Sequence, residues 1–143
     1  MIAAGKDIEK YIPQRAPVIM IDALWACEEV CASTSLTVQS DNLFVEAGRF
    51  TEAGLLENIA QTAAAKVGYD CSQKGIPVPP GFIGAIKNLE IDYFPKAGET
   101  VYTTIKIENE IFGMTLISGE VSFEGKVIAK AEMKIVLQTE ATA

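Results

Sequence analysis

Between Thr51 and Tyr69 the apolar side chains recur with a helical period: Leu55, Leu56, Ile59, Ala60, Ala63, Ala64 and Val67. At about 100° per residue they cover roughly half of a helical wheel. The spacing predicts a central helix over about 51–69, with Thr51 as N-cap, Glu52 in the first turn and Gly68 as the stop. Three successive alanines thin its C-terminal half, so strands can close tightly around it. The opposite face carries Glu57, Asn58, Gln61 and Thr62, with Gly54 and Ala65 between them. Glu57 and Gln61, four apart, are neighbours on a helix. A solvated face usually carries several charges, and this one has a single carboxylate. A partly wet face and a wall turned toward a ligand are both open readings. Gly54 inside a helix costs about 1 kcal/mol against alanine, which points to close approach of another group.

The remaining periodicity is that of strands. Val18 to Leu24 is an apolar run interrupted by Asp22, read as a ligand or as an acceptor for backbone N–H groups. Trp25 to Val38 alternates imperfectly. Residues 18–39 therefore read as one long kinked strand or as two strands sharing a bend near Cys27 to Glu29. A short helix over about 6–12 would share an apolar edge of Ile8, Tyr11 and Ile12 before Pro13. Ser40 to Phe50 and Asp70 to Gly81 carry loop chemistry, the first with a turn at Ala47-Gly48. From 82 to about 138 four period-2 runs with short turns predict an antiparallel meander with one buried face. The sum is an α+β domain over 1–143, with a sheet of five to six strands wrapped around one helix.

Charge and composition narrow the chemistry. Nineteen acidic against twelve basic residues give a net charge of −7, which disfavours nucleic acid and anionic membranes as partners. No apolar run approaches the ~18 residues of a membrane span, and the N-terminus lacks a signal pattern, so a cytoplasmic location is expected. Cys27, Cys31 and Cys71 read as reduced structural thiols. With no histidine in the chain, a four-ligand zinc site would need carboxylates. We expect no metal and no cofactor. The missing histidine also removes a histidine base and Ser-His or Cys-His nucleophiles, leaving carboxylates, Lys, Tyr or Cys for proton transfer.

Four stretches in order resemble the beta-hydroxyacyl-(acyl carrier protein) dehydratase family. Ile12-Pro13-Gln14-Arg15-Ala16-Pro17 followed by Ile19-Met20-Ile21-Asp22 is similar to its opening Leu-Pro-His-Arg-x-Pro, apolar run and Asp. Glu57-Asn58-Ile59-Ala60-Gln61 resembles its Glu-Ala-x-Ala-Gln. Phe82 to Lys87, then Phe94 to Glu99, resemble its Phe-x-Gly-x-x-Lys and Pro-x-x-Pro-Gly-Asp strand and turn. The terminal hairpin also fits, so the resemblance spans about residues 6–138. It implies a hotdog fold, a dimer with two helices side by side, and acyl tunnels at the subunit interface. It implies chemistry by a loop histidine and a helix glutamate of the other subunit, with helix N-terminal amides holding the thioester carbonyl. On this basis Glu57 is the catalytic candidate, and Gln61, Asn58, Gly54 and Arg49 are candidates for substrate binding.

The chain departs from that family where the chemistry lies. Gln14 stands in place of the opening motif's histidine. Gly48-Arg49-Phe50 is the nearest echo of the histidine loop, while ungapped spacing from Glu57 puts Leu43 there. Arg49 cannot serve as a base, because its pKa stays above about 12; pairing with Glu46 or Glu52 is its ordinary alternative. Three functions stay open. One is a 3-hydroxyacyl thioester dehydratase of fatty-acid or polyketide-type biosynthesis, using Glu57 on an acyl carrier protein or CoA substrate. Another is a non-catalytic hotdog subunit, in a heterodimer with a histidine-bearing relative. The third is a hotdog acyl thioesterase. An acidic carrier would need a basic patch, for which Arg15, Arg49, Lys66, Lys74, Lys87 and Lys96 are candidates.

Overall fold

Thr51 adopts an extended conformation and its hydroxyl accepts the Gly54 N–H, capping helix α1, Glu52–Lys74. In this computed structural model, which describes residues 1–138, α1 continues past the expected stop at Gly68. It ends at Gly75, left-handed at φ 68°, whose N–H reaches back to the Cys71 and Ser72 carbonyls. Gly68 answers a different need. The backbone of Tyr11 crosses the helix there, and any Cβ at 68 would collide with its carbonyl. The N-terminal helical stretch is a 3-10 helix, Gly5–Lys10. Its apolar edge forms as expected: Ile8 and Ile12 are buried, and Tyr11 packs on Tyr69 of α1.

The strands are β1 (Ala3–Ala4), β2 (Ala23–Cys27), β3 (Cys31–Thr37), β4 (Val45–Glu46), β5 (Arg49–Phe50), β6 (Gly81–Ile91), β7 (Thr100–Ile111), β8 (Met114–Phe123) and β9 (Lys126–Leu137). The region 18–39 thus holds two strands rather than one, and Val18 to Ile21 belongs to neither. Asp22 is a backbone acceptor, taking the Thr37 N–H at 2.7 Å. The small β4–β5 hairpin turns through Ala47 and Gly48, both at positive φ. The main sheet has seven strands, above the five to six expected, in the order β1-β2-β3-β7-β8-β9-β6.

That order corrects the simple meander. β6 pairs with β9 at one edge, and not with its sequence neighbour β7. The intervening turn is tied across the fold: Val38 N–H donates to Glu99 O, Gly98 N–H to Val38 O, and Phe50 N–H to Pro95 O. These bonds deliver β7 to the free side of β3 and leave β6 as an outer edge.

The concave face closes on α1. Leu55 and Ile59 are completely buried against Val101, Ile105, Ile117 and Val121, each such side chain contributing about 1.5–3 kcal/mol. Gly119 on β8 leaves room for Ile59; a Cβ there would lie 2.5 Å from Ile59 Cγ2. No helix among the described residues is long and apolar enough to cross a membrane.

Candidate active site

On the polar face of α1 Asn58, Gln61 and Thr62 are buried, against the reading of a partly wet face, and Glu57 is half-buried. Segment 18–21 and the sheet cover it and satisfy it group by group. Asn58 Nδ2 donates to the Met20 carbonyl (2.8 Å) and its Oδ1 accepts from the Thr103 hydroxyl (2.5 Å). The Thr62 hydroxyl bonds to that of Thr34 and to the Asn58 carbonyl. Gln61 Oε1 accepts the Met20 N–H (2.6 Å), while its Nε2 donates to the Val18 carbonyl (2.8 Å) and to Glu57 Oε1 (3.0 Å). Buried polar groups so paired cost little.

The side of α1 that opens to a cavity is the thin one. Glu57, Ala60, Ala63, Ala64 and Val67 line it, while Leu55 and Ile59 are completely buried against the sheet. The apolar stripe is therefore split: one edge makes the core and the other makes a wall. Facing that wall across a cavity of about 230 Å³ are Ile83, Ile107, Ile117, Ile135 and Leu137. With about 30 Å³ per water molecule in the liquid, the space takes about eight water-sized groups. Its lining is apolar, Phe82 included, except for Glu57, Gln14 and Thr115. Glu57 is the only ionisable side chain among the lining residues, and Gln61 fixes one of its oxygens. An oriented carboxylate on an apolar wall can take and return a proton at a bound substrate.

The other candidates lie elsewhere. Asn58 is fully buried and does not line the cavity. Gly54 is a close-approach position, where a Cβ would sit 2.5 Å from the Phe50 ring and 2.8 Å from Phe44 Cβ. Gln61 reaches the cavity only through Glu57. The Arg49 side chain makes no ion pair with Glu46 or Glu52, although its backbone pairs with Glu46 in the β4–β5 hairpin. Its Nη1 donates to the Phe94 carbonyl (2.7 Å) and its guanidinium lies 5.5 Å from the Tyr93 ring centroid. The Tyr93 hydroxyl donates to Glu99, and this bond is the main cause of its raised pKa. Burial pushes the Glu99 carboxyl up, but the Lys96 N–H, the Tyr93 hydroxyl and two nearby cations outweigh it and hold the pKa below the ordinary range.

Lys66 leaves the set of surface cations: it is 1% exposed and paired with Asp70 at 2.5 Å. Cys27, half-buried near that pair, has its thiol pKa pushed up to about 11 by burial, with the Lys66 charge opposing. The residue that the periodicity missed is Gln14. It was legible only as a departure within the opening motif.

A model of the ApeP-like family, the ApeP dehydratases, matches residues 6–143. The chain belongs to the ApeP-like family. Among solved structures, this ApeP-like chain is similar to the dehydratase heterocomplex ApeI:P from Xenorhabdus doucetiae. The TM-score is 0.88 at 14% identity, over 94% of this chain and 92% of that one. It is also similar to the PaaI protein of the phenylacetic acid degradation operon of E. coli (TM-score 0.61, 15% identity, 79% and 80% covered). A third is a hypothetical thioesterase protein from Streptococcus pneumoniae with coenzyme A (0.64, 9%, 81% and 84%). At these identities the likeness is one of fold, and the fold of this ApeP-like chain is the hotdog. No curated protein sequence matches the chain significantly.

Proposed function

We propose that this chain is a subunit of a 3-hydroxyacyl thioester dehydratase, acting on an acyl chain carried by an acyl carrier protein or coenzyme A in fatty-acid or polyketide-type biosynthesis. The observation that carries the reading is Glu57, a carboxylate oriented by Gln61 on the wall of an apolar cavity. In the elimination Glu57 accepts the C2 proton as the C2–C3 double bond forms. The C3 hydroxyl then leaves, protonated, as water, and a 2-enoyl thioester remains. The acid that protonates the leaving hydroxyl is Glu57 in its protonated form or a group from a second subunit.

A related hotdog subunit is the source of any such second group on this reading. The chain has no histidine of its own. Among the described residues β6 pairs on one side only, with Phe82 58% and Ile86 39% exposed along it. A long unpaired apolar edge invites a partner strand. The ApeI:P neighbour, itself a dehydratase heterocomplex, supports a heterodimer over self-pairing.

The test is turnover of a 3-hydroxyacyl thioester, with products resolved by mass, for the purified chain alone and mixed with a histidine-bearing hotdog subunit. Loss of water that disappears in Glu57→Ala is the expected result, with the larger rate in the mixture. Water loss that survives Glu57→Ala refutes the assigned role. Free acid and thiol would instead mark a thioesterase, a reading favoured by the likeness to the hypothetical thioesterase protein from Streptococcus pneumoniae.

A further inference from the structure

Gln14 lines the same cavity as Glu57, and its Oε1 is the one buried side-chain polar atom without a hydrogen-bond partner among the described residues. A buried amide oxygen left unpaired is unfavourable, so such an atom calls for a compensating role. The backbone around it is held with care. Arg15 donates from Nη1 to the Ile12 and Gln14 carbonyls (both 2.8 Å) and from Nη2 to the Glu9 carbonyl (3.2 Å), while its Nε pairs with the Glu9 carboxylate at 3.2 Å. Ile12 anchors the stretch in the core at 3% exposure. A few residues on, Val18 and Met20 are bonded to Gln61, the residue that also orients Glu57. One framework thus holds a carboxylate and an uncommitted amide on the walls of a cavity that is otherwise apolar apart from Thr115.

We infer that Gln14 is a specificity-determining residue whose side-chain amide hydrogen-bonds the 3-hydroxyl of the acyl chain. This rests on the dehydratase reading above. A carboxamide offers both a donor and an acceptor, and a hydroxyl needs both. An apolar wall alone would hold a 3-hydroxyacyl chain and its saturated counterpart alike. The amide selects the molecule that still has water to lose and lets go of the chain that lacks the hydroxyl. It does so without moving a proton at C2, which is the part of Glu57.

The experiment compares dissociation constants of 3-hydroxyoctanoyl-pantetheine and octanoyl-pantetheine for the wild-type chain, Gln14→Leu and Gln14→Asn, by calorimetry. The wild type favours the hydroxyacyl ligand by about 3- to 10-fold, the worth of one net hydrogen bond. In Gln14→Leu the preference falls below about 2-fold while octanoyl affinity holds, which also shows that the cavity is intact. Gln14→Asn, with the amide drawn back by one methylene, loses the preference too. A preference undiminished in Gln14→Leu overturns the inference, as does a wild type that binds both ligands equally; in either case the dehydratase reading stands. A wild type that binds neither thioester, alone or mixed with a histidine-bearing hotdog subunit, overturns both.

Discussion

Replacing Gln61 by leucine separates what orients the site from what performs the chemistry. The side chain makes three bonds, to Met20 N–H, Val18 C=O and Glu57 Oε1. Leucine fills a similar volume and makes none of them. The Met20 N–H is buried, and leaving it unpaired costs about 2 kcal/mol. The Val18 carbonyl is half-buried, and water recovers part of its bond, so about 1 kcal/mol is lost there. The bond to Glu57 adds about 0.5 kcal/mol, and the apolar side chain returns a similar amount. The net is about 3 kcal/mol, a large share of the 5–15 kcal/mol that holds an ordinary domain together. At a urea slope of about 1.5 kcal/mol per molar the midpoint falls by about 2 M. Glu57→Gln is the control. Its amide oxygen still accepts from Gln61 Nε2, so the midpoint moves by no more than about 0.5 kcal/mol equivalent, while turnover on the dehydratase reading drops 10²- to 10⁴-fold. Equilibrium urea unfolding followed by circular dichroism, beside the turnover assay, decides the matter. If Gln61→Leu unfolds at the wild-type midpoint, the bridge between segment 18–20 and α1 is not holding the fold, and the reasoning fails.

Gly68→Ala drives a Cβ into the Tyr11 carbonyl, a clash with backbone that cannot rotate away, and costs about 3 kcal/mol or more in thermal or urea unfolding; a neutral result would show that the crossing is looser than described. The Cys27 thiol titrates at about 11 in the fold against an ordinary 9.0. The unfolded chain therefore releases that proton first, and stability falls as pH rises from about 9 to 11. In Cys27→Ala the alkaline fall is shallower, and wild-type Cys27 reacts slowly with a thiol reagent near pH 8; an unchanged alkaline slope would count against the burial argument. Arg49 lowers the Tyr93 pKa against the larger upward pull of the Glu99 bond. In Arg49→Ala the Tyr93 hydroxyl titrates higher still, read from phenolate absorbance, and a downward or absent shift would refute the stacking.

The fold was legible where the chain states it locally. The period of Leu55, Ile59 and Ala63, the Thr51 cap and the alternation from Val101 onward each needed only near neighbours. What failed was long-range. Nothing in the β6 sequence says that it pairs with β9; that follows from bonds between Val38, Gly98 and Glu99. Gly68 carries the same letter as a helix stop, and only the passage of Tyr11 distinguishes the two uses. The wheel left the polar face of α1 open between water and a ligand, because polarity alone does not name its partners. Here its partners are Thr34, Thr103 and the backbone of Val18 and Met20, brought from positions 28 to 45 residues away. Lys66 misled for a different reason: its partner, Asp70, lies one turn on along its own helix, yet the cation itself is buried.

The same logic bears on the site. A carboxylate could be singled out from the sequence because Glu57 is the lone charge on its face, but its orientation depends on Gln61, and Gln61 depends on segment 18–20. Elimination of water needs a proton taken and a proton given. Among the residues that line the cavity only Glu57 can do either. Arg49, the residue nearest in sequence to the absent histidine loop, is committed to the Phe94 carbonyl and the Tyr93 ring, and a guanidinium does not act as a base. On the proposed reading the second proton-transfer group is then either Glu57 used twice or a side chain from another subunit. These alternatives differ in rate, because a separate positioned acid contributes about 10²- to 10⁴-fold. The open β6 edge and the half-exposed stripe of Leu56, Ala60, Ala64 and Val67 leave this chain a place for such a subunit, and the cavity lies between them.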